Sequence, residues 1–185
     1  TQFEFTSLIS FLFLFAGFGY KISSAPFHYW VPDVYEGSPA PITAFFAVAP
    51  KLAGFALLIR FLYTTMAQLN LSTNTIETIY VDWNLILSIL SALTMTIGNV
   101  LALRQTDVKR VLAYSSISHA GFIMMGFAVI SFTAVSHMLF YMVMYSLMTL
   151  GAFAILIALK DKYSVNSIDE WNGIGYAHPI ICSLM

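Results

Sequence analysis

Apolar residues in this chain come in long blocks, not in alternation with polar ones. Residues 3–20 (FEFTSLISFLFLFAGFGY) carry one acid, Glu4; residues 41–60, 84–103, 108–131 and 134–159 form four more blocks, and the stretches between them hold almost all the charge. A helix that crosses a bilayer needs about 20 predominantly apolar residues, and the four later blocks have that length or nearly so. The first run makes a fifth. Lipid offers no partner to an open backbone, so such spans are helices. The pattern predicts an all-α fold, a polytopic transmembrane helical bundle forming a single membrane domain over residues 1–185. It has about five spans and the start of a sixth at residue 179, and its first span, 3–35, is discontinuous near Pro26.

Composition agrees with that reading. Of 185 residues 59% are hydrophobic and 9% charged, against roughly 25% charged in an ordinary soluble domain. With eight Lys and Arg and a net charge of −1, there is no basic surface for nucleic acid and no polybasic lipid clamp. The one cysteine, Cys182, excludes an intrachain disulfide framework and any CxxC metal or redox motif. Thr1 is not an initiator Met and no charged region leads into 3–20, so that run does not read as a signal peptide. The chain stops a few residues into a further apolar run and reads as an interior or split piece of a larger bundle.

The bases give the orientation. With 3–20 leading from side one to side two, Arg104, Lys109, Arg110, Lys160 and Lys162 fall in side-two loops, and side one has Arg60. The positive-inside rule then makes side two the cytoplasm or, in a mitochondrion, the matrix. In the side-two connection 104–110, Asp107 is expected near the amino end of the following helix, where the dipole favours an acid.

Two lysines break the apolar blocks. Lys21 closes the first, and Pro26 soon after removes an amide and clashes with the preceding turn, while Ala25 is pushed out of helical angles. A break is expected between residues 21 and 27, with Lys21 facing the protein interior. Broken helices at membrane depth place charges beside ion paths. The alternative is a helix that simply ends, with Lys21 snorkelling to the headgroups and Tyr20, Tyr29 and Trp30 forming an interfacial belt.

Lys51 lies about ten residues, or roughly 15 Å, into the block 41–60, close to the bilayer centre. An ammonium there costs at least ~2.5–3.5 kcal/mol on insertion scales, so its default reading is functional. Pro50 before it frees the Phe46 carbonyl, and Gly54 after it admits a close helix neighbour. The competing reading is a structural ion pair with an acid of another subunit, since no acid in these blocks is an obvious partner.

Further polar groups follow. Ser115 and His119 are spaced i, i+4 and share a helix face, and an imidazole both takes and gives a proton near neutrality. His137, Tyr141, Tyr145 and Thr149 repeat every fourth residue along the next block. Such stripes hold water files or make interhelical hydrogen bonds. A bis-histidine haem does not fit, because His119 and His137 differ in depth by roughly 13 Å.

Three motifs in order carry a resemblance: Lys21-x4-Pro-Phe-His-Tyr-Trp-Val-Pro-Asp-Val-Tyr-Glu-Gly-Ser-Pro-Ala-Pro, then Ala-Pro-Lys51, then Arg104-Gln-Thr-Asp-Val-Lys-Arg-Val-Leu-Ala-Tyr-Ser-Ser-Ile-Ser-His119. Over nearly its whole length the chain resembles the antiporter-like membrane subunits of respiratory complex I, and among them the subunit 2 type of the mitochondrial NADH:ubiquinone oxidoreductase. The resemblance implies that 3–35 is the family's discontinuous helix with its central lysine at Lys21, and that 41–60 bears the connecting lysine at Lys51. It implies a proton-translocating subunit of an NADH:ubiquinone reductase, in the mitochondrial inner membrane. Lys21, Lys51 and His119 would be its path, with lesser contributions from Ser115, His137, Tyr141 and Tyr145. No cofactor is expected on this chain: flavin, iron–sulfur clusters and ubiquinone belong elsewhere in the complex. Expected partners are other membrane subunits and lipids, with a second polypeptide supplying missing helices if the subunit is split. The glutamate that pairs with the first lysine is expected outside these residues. A sodium/proton antiporter or hydrogenase subunit of the same superfamily is the alternative, and a non-conducting structural subunit is another.

Overall fold

The computed structural model describes residues 2–71, 83–129, 131–163, 167–171 and 173–177. The expected start of a sixth span at 179 lies outside them. Among the described residues there are helices and turns and no strand: α1 (Gln2–Ile22), α2 (Trp30–Gly37), α3 (Ala40–Leu71), α4 (Trp83–Ala102), α5 (Val108–Met125), α6 (Phe132–Tyr163) and α7 (Ile174–Ala177), with short 3-10 turns at Gly126–Ala128 and Ile168–Trp171. Among the described residues four helical stretches are long and apolar enough to cross a membrane: Ala40–Thr64, Asn84–Ala102, Val108–Ala128 and Thr133–Lys160. The helices α3 and α6 continue beyond the expected block ends, to Leu71 and Tyr163.

The break near Pro26 is present and has a defined form. Ser23 adopts a left-handed φ of 65°, its amide donates to the Tyr20 carbonyl at 3.2 Å, and the Ser24 amide donates to the Gly19 carbonyl at 2.9 Å. This is a Schellman stop, the arrangement that satisfies the last carbonyls of a helix, built on serine instead of glycine. The next donor, the Ala25 amide, is taken by Thr94 Oγ1 of α4 at 3.0 Å, and Trp30 Nε1 donates back to the Tyr20 carbonyl at 3.2 Å. Ser23, Ser24 and His28 are buried here. The chain re-enters a helix at Trp30, so the first span is two pieces.

Packing follows the small residues. Among the described helices α4 and α5 share the most extensive contact: a Cβ at Gly98 would lie 2.6 Å from the Ser118 amide nitrogen, and one at Gly121 would lie 2.7 Å from the Met95 amide nitrogen. Polar side chains bridge the same seam, Ser91 Oγ donating to the Gly121 carbonyl at 2.8 Å and Ser118 Oγ to Asn99 Oδ1 at 2.8 Å. One apolar cluster joins Ile22, Phe55, Leu58, Leu87, Met124 and Phe127; another joins Val31, Tyr35, Ala47, Val48, Ala113 and Phe153. On α3, Lys51 stands between the two.

Candidate functional site

Lys51 sits near the middle of the span Ala40–Thr64 and is 2% exposed. Its Nζ donates to the Ser116 hydroxyl at 2.8 Å and to the Ser116 carbonyl at 3.0 Å, both on α5. A hydroxyl and a carbonyl of one residue therefore stand where an acid was sought. The turn of α3 ahead of Lys51 contains Pro50, and the Ala47 carbonyl in that turn accepts the Tyr145 hydroxyl at 3.1 Å. The Tyr145 ring lies 5.5 Å from the His119 ring, and His119 Nδ1 is 2.7 Å from the Tyr141 hydroxyl. The helices α3, α5 and α6 thus bring Lys51, Ser116, Tyr145, His119 and Tyr141 into one polar cluster within apolar surroundings.

The remaining sequence candidates are placed differently. Ser115 is half-buried, and the residue that meets Lys51 is its neighbour Ser116. His137 is exposed, whereas Tyr145 and Thr149 are buried. A stripe repeating every fourth residue drifts by about 40° per step round a helix of 3.6 residues per turn, so its first member no longer faces what its last members face.

Lys21 was expected to face the protein interior. It lies in the last turn of α1, where a cation suits the helix dipole, but its side chain is exposed and does not face the interior of the described helices. No carboxylate among the described residues pairs with it. The stem of Lys21 instead crosses α3 at Gly54, where a Cβ would meet Lys21 Cγ at 3.3 Å and Ile22 Cγ2 at 2.9 Å. Gly54 is three residues after Lys51 and shares its face, so the α1–α3 crossing sets the two lysines one helical turn apart along α3.

A second group of contacts was not read from the sequence. Arg110, at the start of α5, donates to Asp33 at 3.0 Å and to Glu36 at 2.5 Å, both on α2. Lys109 Nζ donates to the carbonyls of Glu36 and Ser38 at 2.8 and 2.9 Å, filling acceptors that the end of α2 leaves open. Asp107 is the N-cap of α5, its carboxylate accepting the Arg110 amide at 3.0 Å. These bases served as topology markers in the sequence, yet here they fasten the half-helix. Among the described residues no group of three or more His, Cys, Asp or Glu side chains is placed to hold a metal.

Comparison with known proteins gives one family. Residues 2–185 match the family described as NADH:quinone oxidoreductase/Mrp antiporter, transmembrane. The chain is 45% identical over 179 residues to NADH-quinone oxidoreductase subunit N of Chlorobium chlorochromatii, covering 96% of this chain and 34% of that protein. Among solved structures it is similar to a chain of respiratory complex I from Thermus thermophilus, with a TM-score of 0.66 and 33% identity over 91% of this chain and 34% of the other. It also matches a chain of an archaeal membrane-bound sulfane sulfur reductase, with a TM-score of 0.77, 25% identity, and coverage of 91% of this chain and 33% of the other. The chain spans about a third of the length of the relatives it matches.

Proposed function

The chain belongs to the NADH:quinone oxidoreductase/Mrp antiporter transmembrane family, and from that premise we propose that it carries the middle of a proton path in the membrane part of a respiratory NADH:quinone oxidoreductase. The observation that carries this is Lys51, a cation 2% exposed at the centre of a span and held by hydroxyl and carbonyl oxygens without a carboxylate. A charge kept at that cost, with no counter-charge among the described residues to fix it, is suited to gaining and losing a proton. Lys21, on the exposed side of the α1–α3 crossing, is the neighbouring station, and its acid partner comes from a helix outside these residues. His119 with Tyr141, and Tyr145, extend the cluster along α6 toward further carriers. Quinone reduction, with its flavin and iron–sulfur clusters, takes place on other subunits.

The motif resemblance extends the reading to the subunit 2 type of the mitochondrial enzyme in the inner membrane, with Lys109 and Arg110 toward the matrix. Other membrane subunits, lipids and, in a split subunit, a second polypeptide then surround the exposed faces of α4 and α6. The matched relatives named above are bacterial or archaeal, and in a bacterial membrane the same orientation puts these bases in the cytoplasm.

The test is substitution of Lys51 in the assembled complex. Lys51→Met puts an apolar side chain of similar length in place of the ammonium and removes the burial cost, so assembly survives while protons translocated per NADH, or coupled turnover, fall. Lys51→Arg rescues poorly, because a guanidinium does not release its proton at accessible pH. Full translocation by the Met variant would refute the assignment.

A further inference from the structure

Tyr35 is fully buried on α2, and its hydroxyl lies 3.4 Å from Ser116 Oγ. The Ser116 hydroxyl has one proton to give, and the Ala113 carbonyl takes it at 2.6 Å. Toward Lys51 the same oxygen is an acceptor, at 2.8 Å, while the Tyr35 hydroxyl oxygen stands at 3.4 Å as a second, longer acceptor for the Ser116 proton. The ring of Tyr35 cannot drift: it packs edge-on against Phe153, centroids 6.2 Å apart, and α2 itself is tied to α5 by Arg110 and Lys109. A phenylalanine would fill this pocket equally well, and burying a hydroxyl carries a penalty unless it meets a partner. The partner it meets is the residue that holds the buried cation.

We infer that Tyr35 is a positioning residue for Lys51: through the Ser116 hydroxyl it sets where the ammonium stands, and it makes that position depend on α2, the half-helix that continues the Lys21 segment. The two halves of the broken span then bear on the surroundings of Lys51 at two places, the stem of Lys21 at Gly54, one turn along α3, and Tyr35 at Ser116. At 3.4 Å the Tyr35 contact is long for a hydroxyl pair, so Tyr35 biases the Ser116 oxygen more than it grips it. The inference rests on the proton-path reading of Lys51.

The experiment uses the complete complex in proteoliposomes, with proton translocation coupled to NADH:quinone turnover measured per assembled complex. Ser116→Ala should slow translocation by about three- to ten-fold, the rate equivalent of one hydrogen bond, and Tyr35→Phe, which loses a longer contact, by about two- to three-fold. The double variant should be no slower than Ser116→Ala alone, because Tyr35 acts only through Ser116. A packing defect would instead add to the Ser116 effect. Arg110→Met, which loosens α2 without touching the buried cluster, gives an independent reading: it should slow the complex that has Ser116 and not slow the Ser116→Ala complex further. Wild-type rate in Tyr35→Phe, or equal slowing by Tyr35→Phe or Arg110→Met in both backgrounds, overturns the inference while leaving a defective Lys51→Met complex in place as support for the proton path. A fully active Lys51→Met complex removes both.

Discussion

The ammonium of Lys51 and the hydroxyl of Ser116 stand 2.8 Å apart at a place where each residue is 2% exposed. Their dependence on one another is unequal. Lysine without serine is a buried cation short of an acceptor, whereas serine without lysine still has the Ala113 carbonyl. Ser116→Ala should therefore destabilise the assembled subunit by about 1–3 kcal/mol, and Lys51→Met should be neutral or stabilising. Thermal unfolding of the complex, followed by loss of this chain, gives the order; a less stable Lys51→Met variant contradicts it.

Thr94 does for the broken span what a helical carbonyl would have done, since its hydroxyl accepts the Ala25 amide at 3.0 Å. Thr94→Val keeps the shape and leaves that amide unsatisfied, at a cost of about 1–3 kcal/mol. Thr94→Ser should recover most of it. Equal stability of the Val and Ser variants would show that the hydroxyl does not carry the break.

The α4–α5 seam admits no side chain at Gly98, where an added methyl would press on the Ser118 backbone. Gly98→Ala should cost about 1–3 kcal/mol by overpacking. Gly17→Ala, at a position with nothing nearby, should not. A cysteine pair across the seam that cross-links as readily in Gly98→Ala as in the parent would show that the helices had not been forced apart.

Tyr141 and His137 make a matched contrast on α6. The Tyr141 hydroxyl is 2.7 Å from His119 Nδ1, and His137 is exposed one turn away. Tyr141→Phe should lower proton translocation a few-fold, and His137→Gln should leave it unchanged. The reverse ranking would move the path to the outer face of α6.

The positions of the helices were legible because lipid leaves the backbone no alternative, and the break was legible because proline cannot continue a helix. Lys51 was legible because an apolar block has no ordinary use for it. Ser116 was not, since from sequence Ser115 and Ser116 differ by one step of rotation, and only the α3–α5 crossing decides which meets the lysine. Tyr35 and the bases Lys109 and Arg110 were hidden for a similar reason. Their partners lie more than seventy residues away in sequence, and the charge of a base announces a membrane face without naming what it grips. Lys21 was expected inside on the strength of its charge, but the helices described here leave its side chain on their surface.

The eight residues of α2 are too few to remain helical by themselves, since isolated helices shorter than about 12–15 residues are marginal in water. Its persistence is lent by its neighbours: the guanidinium on its two acids, the ammonium on its final carbonyls, and the apolar cluster around Tyr35. Such a segment melts as one cooperative unit whose opening free energy lies below that of the long spans. Its amides should accordingly exchange with deuterium together, faster than those of α5, and faster still at high salt, where the Arg110 contacts to the exposed Asp33 and Glu36 carboxylates are screened.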